Sequence, residues 1–336
     1  MKRTTTALAA MALAFGLAAC QSEPIPTPSP EPAPPTPGAV LSQDRLEEIL
    51  AEVSSSLTAA DAAASAAELG ERFTGPALEM RTAEYALASL SSGANEVTPL
   101  VTDAQVSVVA ATTEWPRVAN VVTTIPEGTN LPLLLTFVQQ GARENYALWS
   151  WVRLFPGVAM PATTQPAVGS APVAPDASGL LMSPEAALGA YVDLLNNREE
   201  SASSGSFAEE PFRANWGQTL DQLASAVEVA GTAAQVSEVS PEGSYSIATH
   251  DGGAIVVGAI NQTLTVTRTV EGSTLNVGPS LAYGGESTVQ GSLTATYLAT
   301  VAFYIPPEGG DEQQVTVLGA EQVQIGVTRD DSVSPD

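Results

Sequence analysis

Thr288-Val-Gln-Gly-Ser-Leu-Thr-Ala-Thr-Tyr-Leu-Ala-Thr-Val-Ala-Phe-Tyr-Ile305 reads as an alternating stretch. Val289, Leu293, Ala295, Tyr297, Ala299, Val301, Phe303 and Ile305 fall on one side, and Gln290, Ser292, Thr294, Thr296 and Thr300 on the other. Side chains of a strand point to opposite faces in turn, so this pattern predicts a half-buried antiparallel strand. It is long enough to need a bend, and Gly291 is the candidate. Similar runs lie on either side of it, at Ala233–Val239, Tyr245–Thr249, Ala254–Val270 and Gln313–Thr328. Between two of them, His250-Asp-Gly-Gly253 reads as a hairpin turn.

Helix signals precede these strands. Ser183-Pro184-Glu185 combines a cap, a first-turn proline and a first-turn acid, and Leu188, Tyr191, Val192 and Leu195 form the apolar stripe behind it. Short helices are expected near Glu209–Asn215 and Gln218–Val229. The first half of the chain repeats the plan. Ser42 caps a helix carrying Leu46, Ile49, Leu50, Val53 and Leu57, an alanine-rich helix reaches Phe73, and a third covers Pro76–Ser89. Strands are expected at Val106–Thr112, Arg117–Thr124, Pro132–Gln140 and Asn145–Phe155. Phe73-Thr-Gly-Pro-Ala-Leu-Glu-Met-Arg81 faintly echoes Phe207-Ala-Glu-Glu-Pro-Phe-Arg213. Helices first and a curved antiparallel sheet after is an α+β layout, here expected twice as two modules over 39–158 and 179–329. A Pro/Ala-rich linker at 159–178 would separate them, and a disordered tail would follow at 330–336.

The N-terminus carries an address. Lys2 and Arg3 precede an apolar run that ends at Leu17-Ala-Ala-Cys20, the layout of a secretory signal over 1–19. The run is short of the ~20 residues a spanning helix needs. The Leu-Ala-Ala-Cys segment resembles the lipobox of bacterial lipoproteins. That resemblance implies cleavage before Cys20, lipidation of its thiol and a cell-membrane location on the outer side. A plain cleaved signal is the rival reading. Residues 20–38 alternate proline with small polar residues, which favours an extended rod of roughly 3.1 Å per residue.

Composition narrows the chemistry. The chain has 37 acidic and 12 basic residues, a net charge of −25, a single cysteine and a single histidine. Lys2 is its one lysine. Such a balance argues against nucleic acid, whose phosphates are bound by Lys and Arg. One cysteine excludes an internal disulfide, and with one histidine it leaves little from which to build zinc or haem sites. No cofactor and no metal are expected. Glu209 and Glu210 diverge as consecutive residues and read as charge near a helix N-terminus. Glu321 and Glu286 fall in expected turn or edge regions, so no inward carboxylate marks an active site.

Trp149 and Trp151 lie two apart on one strand and share a face with Arg153. A tryptophan pair beside an arginine is a platform for sugars or aromatic ligands, with Tyr297 as a further candidate. The alternative is that the indoles fill the core. On Trp149-Ser-Trp-Val-Arg-Leu-Phe-Pro-Gly157, Leu181-Met-Ser-Pro184 and Phe207 through Trp216, the chain resembles uncharacterised actinobacterial surface lipoproteins with a C-terminal domain of unknown function. Its element order looks like the cone-shaped nuclear-transport-factor-2-like superfamily. The expectation is a non-enzymatic envelope module that binds an envelope protein or glycan, with a pocket for a small ligand as the alternative. An enzyme using Asp, Glu and Tyr is the third reading.

Overall fold

Ser42 Oγ accepts the Arg45 N–H at 3.3 Å and starts α1 (Gln43–Ala63). In this computed structural model the described residues are 37–91 and 95–336. The expected signal over 1–19, Cys20 and the proline-rich segment up to 36 lie outside them. Leu46, Ile49, Leu50, Val53 and Leu57 are buried along one face of α1, as their spacing requires. The helix expected to reach Phe73 is interrupted, because Ala64 turns into the left-handed region at φ +47° and a 3-10 turn covers Ala66–Arg72. Next comes α2 (Gly75–Leu90), with Pro76 in its first turn. β1 (Ala104–Val109), β2 (Arg117–Thr123), β3 (Leu133–Gln139) and β4 (Ala147–Leu154) follow close to their expected spans.

The second half opens with α3 (Pro184–Asn197), capped by Ser183 Oγ on the Ala186 N–H. α4 (Pro211–Val227) is one helix where two were expected. The interior Gly217 costs it only about 1 kcal/mol, and Trp216 anchors it from beneath. The strands are β5 (Gly231–Ala248), β6 (Ala254–Arg268), β7 (Leu275–Asn276), β8 (Thr288–Val289), β9 (Ser292–Ile305) and β10 (Thr316–Asp330). β7 and β8 form a small hairpin apart from the main sheet. The alternating stretch therefore breaks at Gly291, where an added Cβ would stand 2.2 Å from the Asp330 carbonyl oxygen. The expected hairpin turn joins β5 to β6. Asp251 there accepts from Thr249 Oγ1 (2.5 Å), the Gly253 N–H (3.1 Å) and the Tyr304 hydroxyl, and His250 is exposed.

The eight main strands form one antiparallel sheet in the order β1-β2-β3-β4-β10-β9-β6-β5. The two halves are thus not closed modules with a sheet each. β4 pairs with β10 through Leu154↔Gly319 and Arg153↔Ala320, and Pro37–Asp336 is one compact unit. Burial explains why. Val256, Ile260, Val301, Phe303 and Val317 pack under α3 with Leu188, Tyr191 and Leu195. Alternate residues of the same strands, Ile255, Val257, Leu298, Ala302 and Leu318, join Ile49, Met80, Phe137 and Trp151 from the first half. β9 is therefore half-buried at its start and buried on both faces from Leu298 onward. Its second face is covered by the N-terminal half of the chain.

The segment expected as a linker is a strap. Ser170 pairs with Ala110 just beyond β1, and Pro172 pairs with Ile247 in β5. β1 and β5 are the two outermost strands, so this short segment ties both sheet edges together. The expected disordered tail is also docked. Arg268 is buried, and a buried cation needs an anion. Asp336 supplies one at 2.6 Å, and Ser334 Oγ accepts a second guanidinium N–H at 2.7 Å.

Gly319 sits where β4 meets β10, and a Cβ there would lie 2.2 Å from the Arg153 carbonyl oxygen. Backbone cannot step aside as a flexible side chain can. Gly319→Ala should lower stability by about 1–3 kcal/mol or more, read from the urea midpoint. The wild-type unit should unfold in one cooperative step. Two separated transitions would mean that the halves fold independently.

Candidate functional site

The four residues singled out in the sequence do not form one surface. Trp149 and Trp151 are 2% and 0% exposed, so neither ring offers a face for stacking. Trp149 meets the ring of Tyr245 edge-on, with centroids 4.8 Å apart. Both indoles belong to the core that joins α1 and α2 to the sheet. Tyr297 lies with the opposite cluster and packs edge-on against Trp216 on α4 at 5.4 Å. Burial pushes the Tyr297 hydroxyl up to about 12. Arg153 stands at the seam, with its Nη2 3.2 Å from Glu321 Oε2.

Glu321 is the residue that sequence reasoning missed. It lies within β10 rather than in a turn, opposite Thr300 of β9. The signal was present in Val315-Thr-Val-Leu-Gly-Ala-Glu-Gln-Val323, an apolar run with a carboxylate inside it. Its side chain is 17% exposed. The contact with Arg153 is close but poorly aligned, and Oε2 has no directed hydrogen bond. Burial raises the carboxyl to about 7; Arg153 opposes that shift and Glu84 adds to it. Desolvation of the charged form outweighs the nearby guanidinium.

Glu321 lines a cavity of about 300 Å³ between α4 and β10, with Phe155, Phe212, Asn215, Trp216 and Gln322. Trp216 is 5% exposed, and its Nε1–H is buried without an acceptor. Gln322 Nε2 donates to Gln262 Oε1 at 2.6 Å, and Gln262 Nε2 donates to Ser237 Oγ at 3.2 Å. Asn196, at the end of α3, closes this line by binding both the N–H and the C=O of Ser237 on edge strand β5. The amides thus hold Gln322 in place at the cavity wall. Only Trp216 and Val227 of α4 are buried, so the helix that roofs the cavity is lightly seated. A cavity with aromatic walls, an indole N–H without an acceptor and an ion-paired carboxylate is equipped to hold a small polar ligand.

Over residues 37–329 the chain matches the family described as Domain of unknown function (DUF8094). It belongs to that family. No curated protein and no solved structure matches it. The DUF8094 match runs through both halves and the strap, in keeping with a single sheet.

Two other buried charged groups in this DUF8094 chain, Arg81 and Glu210, are structurally satisfied. Arg81, 1% exposed, binds Asp61 at 2.6 Å, Glu84 at 2.9 Å, the Tyr85 hydroxyl at 3.2 Å and the Thr98 carbonyl at 2.7 Å. Glu210 caps α4 as its position suggested. It accepts from the Phe212 and Arg213 N–H groups and from the Tyr191 hydroxyl at 2.7 Å. Among the described residues, no three His, Cys, Asp or Glu side chains converge to hold a metal ion. No described helix is long and apolar enough to cross a membrane.

Two outcomes follow from these groups. Arg81→Met strands the carboxylates that the guanidinium holds, and should cost about 3–5 kcal/mol in urea unfolding. Glu321 has a folded-state value raised above its unfolded one. Its contribution to stability is therefore full below about 4.5 and is lost as pH rises through about 7. Glu321→Gln should remove that decline, so the variant gains on the wild type between those limits. Parallel pH profiles of the two proteins would mean that Glu321 ionises normally.

Proposed function

We propose that this chain is a lipid-anchored, non-enzymatic binding module of a bacterial cell envelope, of the actinobacterial surface-lipoprotein kind. It is exported, acylated at Cys20 and held out on the proline-rich segment. It takes a small polyhydroxylated ligand, such as one ring of an envelope glycan, between α4 and β10. The observation that carries the ligand reading is the cavity between α4 and β10, where the buried Trp216 Nε1–H has no acceptor and Glu321, ion-paired to Arg153 at 3.2 Å, lines the wall. A buried N–H is nearly always satisfied, so the Trp216 indole calls for an acceptor. Phe155 and Phe212 supply the apolar wall that a sugar ring packs on. Leu17-Ala-Ala-Cys20 supports the anchor, and the net charge of −25 keeps the body off anionic lipid.

Glu321 near 7 also suits a general acid or base, which favours the enzyme reading. Glycoside hydrolysis, however, needs two facing carboxyl groups, and Glu321 is the one carboxylate lining this cavity. Binding is the better-supported role.

Tryptophan fluorescence and calorimetry over a panel of envelope monosaccharides and amino sugars should give one saturable response. By calorimetry, Trp216→Phe, which keeps an aromatic ring and loses the indole N–H, should bind about tenfold more weakly. A flat response across the panel sinks the ligand reading. Cys20→Ser should move the protein from the membrane fraction to the soluble one, and unchanged partitioning would remove the anchor.

A further inference from the structure

The opposite flank of α4 borders a larger cavity, of about 840 Å³, between α3, α4 and the loop that leads into Phe207. Arg198, Arg213, Glu199, Glu209, Ser204 and Gln314 line it. Two of these residues break local rules. Arg213 is the third residue of α4, and a cation in the first turn opposes the helix dipole. It makes no ion pair among the described residues, although six of their ten arginines do. Its Nη1 is buried without an acceptor. The nearby Glu210 does not serve it, because that carboxylate is taken by the Tyr191 hydroxyl and by the N–H groups of the first turn.

Arg198 is the second. Its backbone stands at φ +52°, ψ −125°, a region that a residue with a side chain rarely enters. That turn places its guanidinium on Asp221 of α4 at 2.8 and 3.0 Å and on the Gly217 carbonyl at 2.9 Å. Strain and an unpaired cation thus meet at one cavity. Departures from local consistency concentrate at functional positions. The exposed carboxylates of Glu199 and Glu209 line the same cavity, so its charge is mixed rather than anionic or cationic.

We propose that this cavity is a seat for a small zwitterion of the amino-acid or short-peptide type, separate from the ligand seat on the other side of α4. Arg213 takes the carboxylate, and Glu199 and Glu209 take the ammonium group. The volume falls within the range of small-molecule sites and admits a few residues of extended peptide. A carboxylate completes the hydrogen bonding of a guanidinium as no neutral group does.

Calorimetry on the full chain with triglycine, N-acetyltriglycine and triglycinamide separates the two charges. Triglycine should bind, and each capped form should bind about tenfold more weakly or worse, the worth of one charge-assisted hydrogen bond. Arg213→Gln should abolish the preference for the free carboxylate, and Arg213→Lys should keep part of it. Glu199→Gln combined with Glu209→Gln should abolish the preference for the free amine. Arg213→Gln should also leave the melting temperature unchanged or raised, since it removes an unpaired, dipole-opposed cation. No binding heat with millimolar triglycine overturns the proposal, as does equal binding of the free and capped peptides. A fall in the melting temperature of Arg213→Gln with the preferences intact assigns Arg213 a structural role and overturns it equally.

Discussion

The close backbone approach at Gly319 is the constraint on which the architecture rests. Among the described residues, two ladder pairs, Leu154↔Gly319 and Arg153↔Ala320, join the strands of the first half to those of the second. The contact is tight enough that a single methyl group would overlap the Arg153 carbonyl. Once β4 and β10 are joined, β6, β9 and β10 have apolar residues on both faces, and both must be covered. α3 covers one face, and the N-terminal core covers the other. A strand buried on two sides reads as a continuous apolar run, and Leu298–Ile305 is one.

The strap solves the problem that the seam leaves. A single eight-stranded sheet has two edges, and exposed edges are templates for unwanted pairing. Residues 170–172 pair with the end of β1 on one side and with β5 on the other. Gly169 permits this path. It stands at φ +84°, and a Cβ on it would lie 2.9 Å from the Ala111 methyl group. Farther along β5, Asn196 occupies the free N–H and C=O of Ser237, blunting the rest of that edge. A proline- and alanine-rich composition was compatible with a linker, but proline-rich backbone is also extended, and extended backbone can pair.

Local signals were legible in the sequence and long-range ones were not. Ser42 and Ser183 cap their helices as read, and the four strands of the first half fall near their expected spans. The echo between Phe73 and Phe207 also has a structural counterpart. Each residue makes a single parallel bridge, Phe73 to Leu148 in β4 and Phe207 to Val315 just ahead of β10, shortly before a helix with proline in its first turn. What the sequence hid was which strands meet. Alternation gives the faces of a strand but not its neighbour, so Trp149 and Trp151 read equally well as platform or core. Glu321 was obscured for the same reason, since the charged groups that act on it, Arg153 on β4 and Glu84 on α2, are far away in sequence.

The arginines show how an acidic chain organises its interior. Arg81 and Arg268 are nearly fully buried, and each is held by carboxylates and carbonyl or hydroxyl oxygens. A planar guanidinium has five donors and can join several segments at once, which a lysine cannot do as well. Arg81 ties α1 to α2 and to the approach to β1; Arg268 ties β6 to the C-terminus. Arg117 has no carboxylate but lies over the Trp115 ring at 4.0 Å. Among the described arginines, Arg117, Arg143, Arg213 and Arg329 make no ion pair with a carboxylate. Of these, Arg213 lies on α4, the helix with the fewest buried anchors, and lines the larger cavity beside it. The packing that fixes the sheet is dense and shared by both halves, whereas α4 is held at Trp216, at Val227 and through Arg198. Any ligand bound beside α4 can therefore add order to that helix.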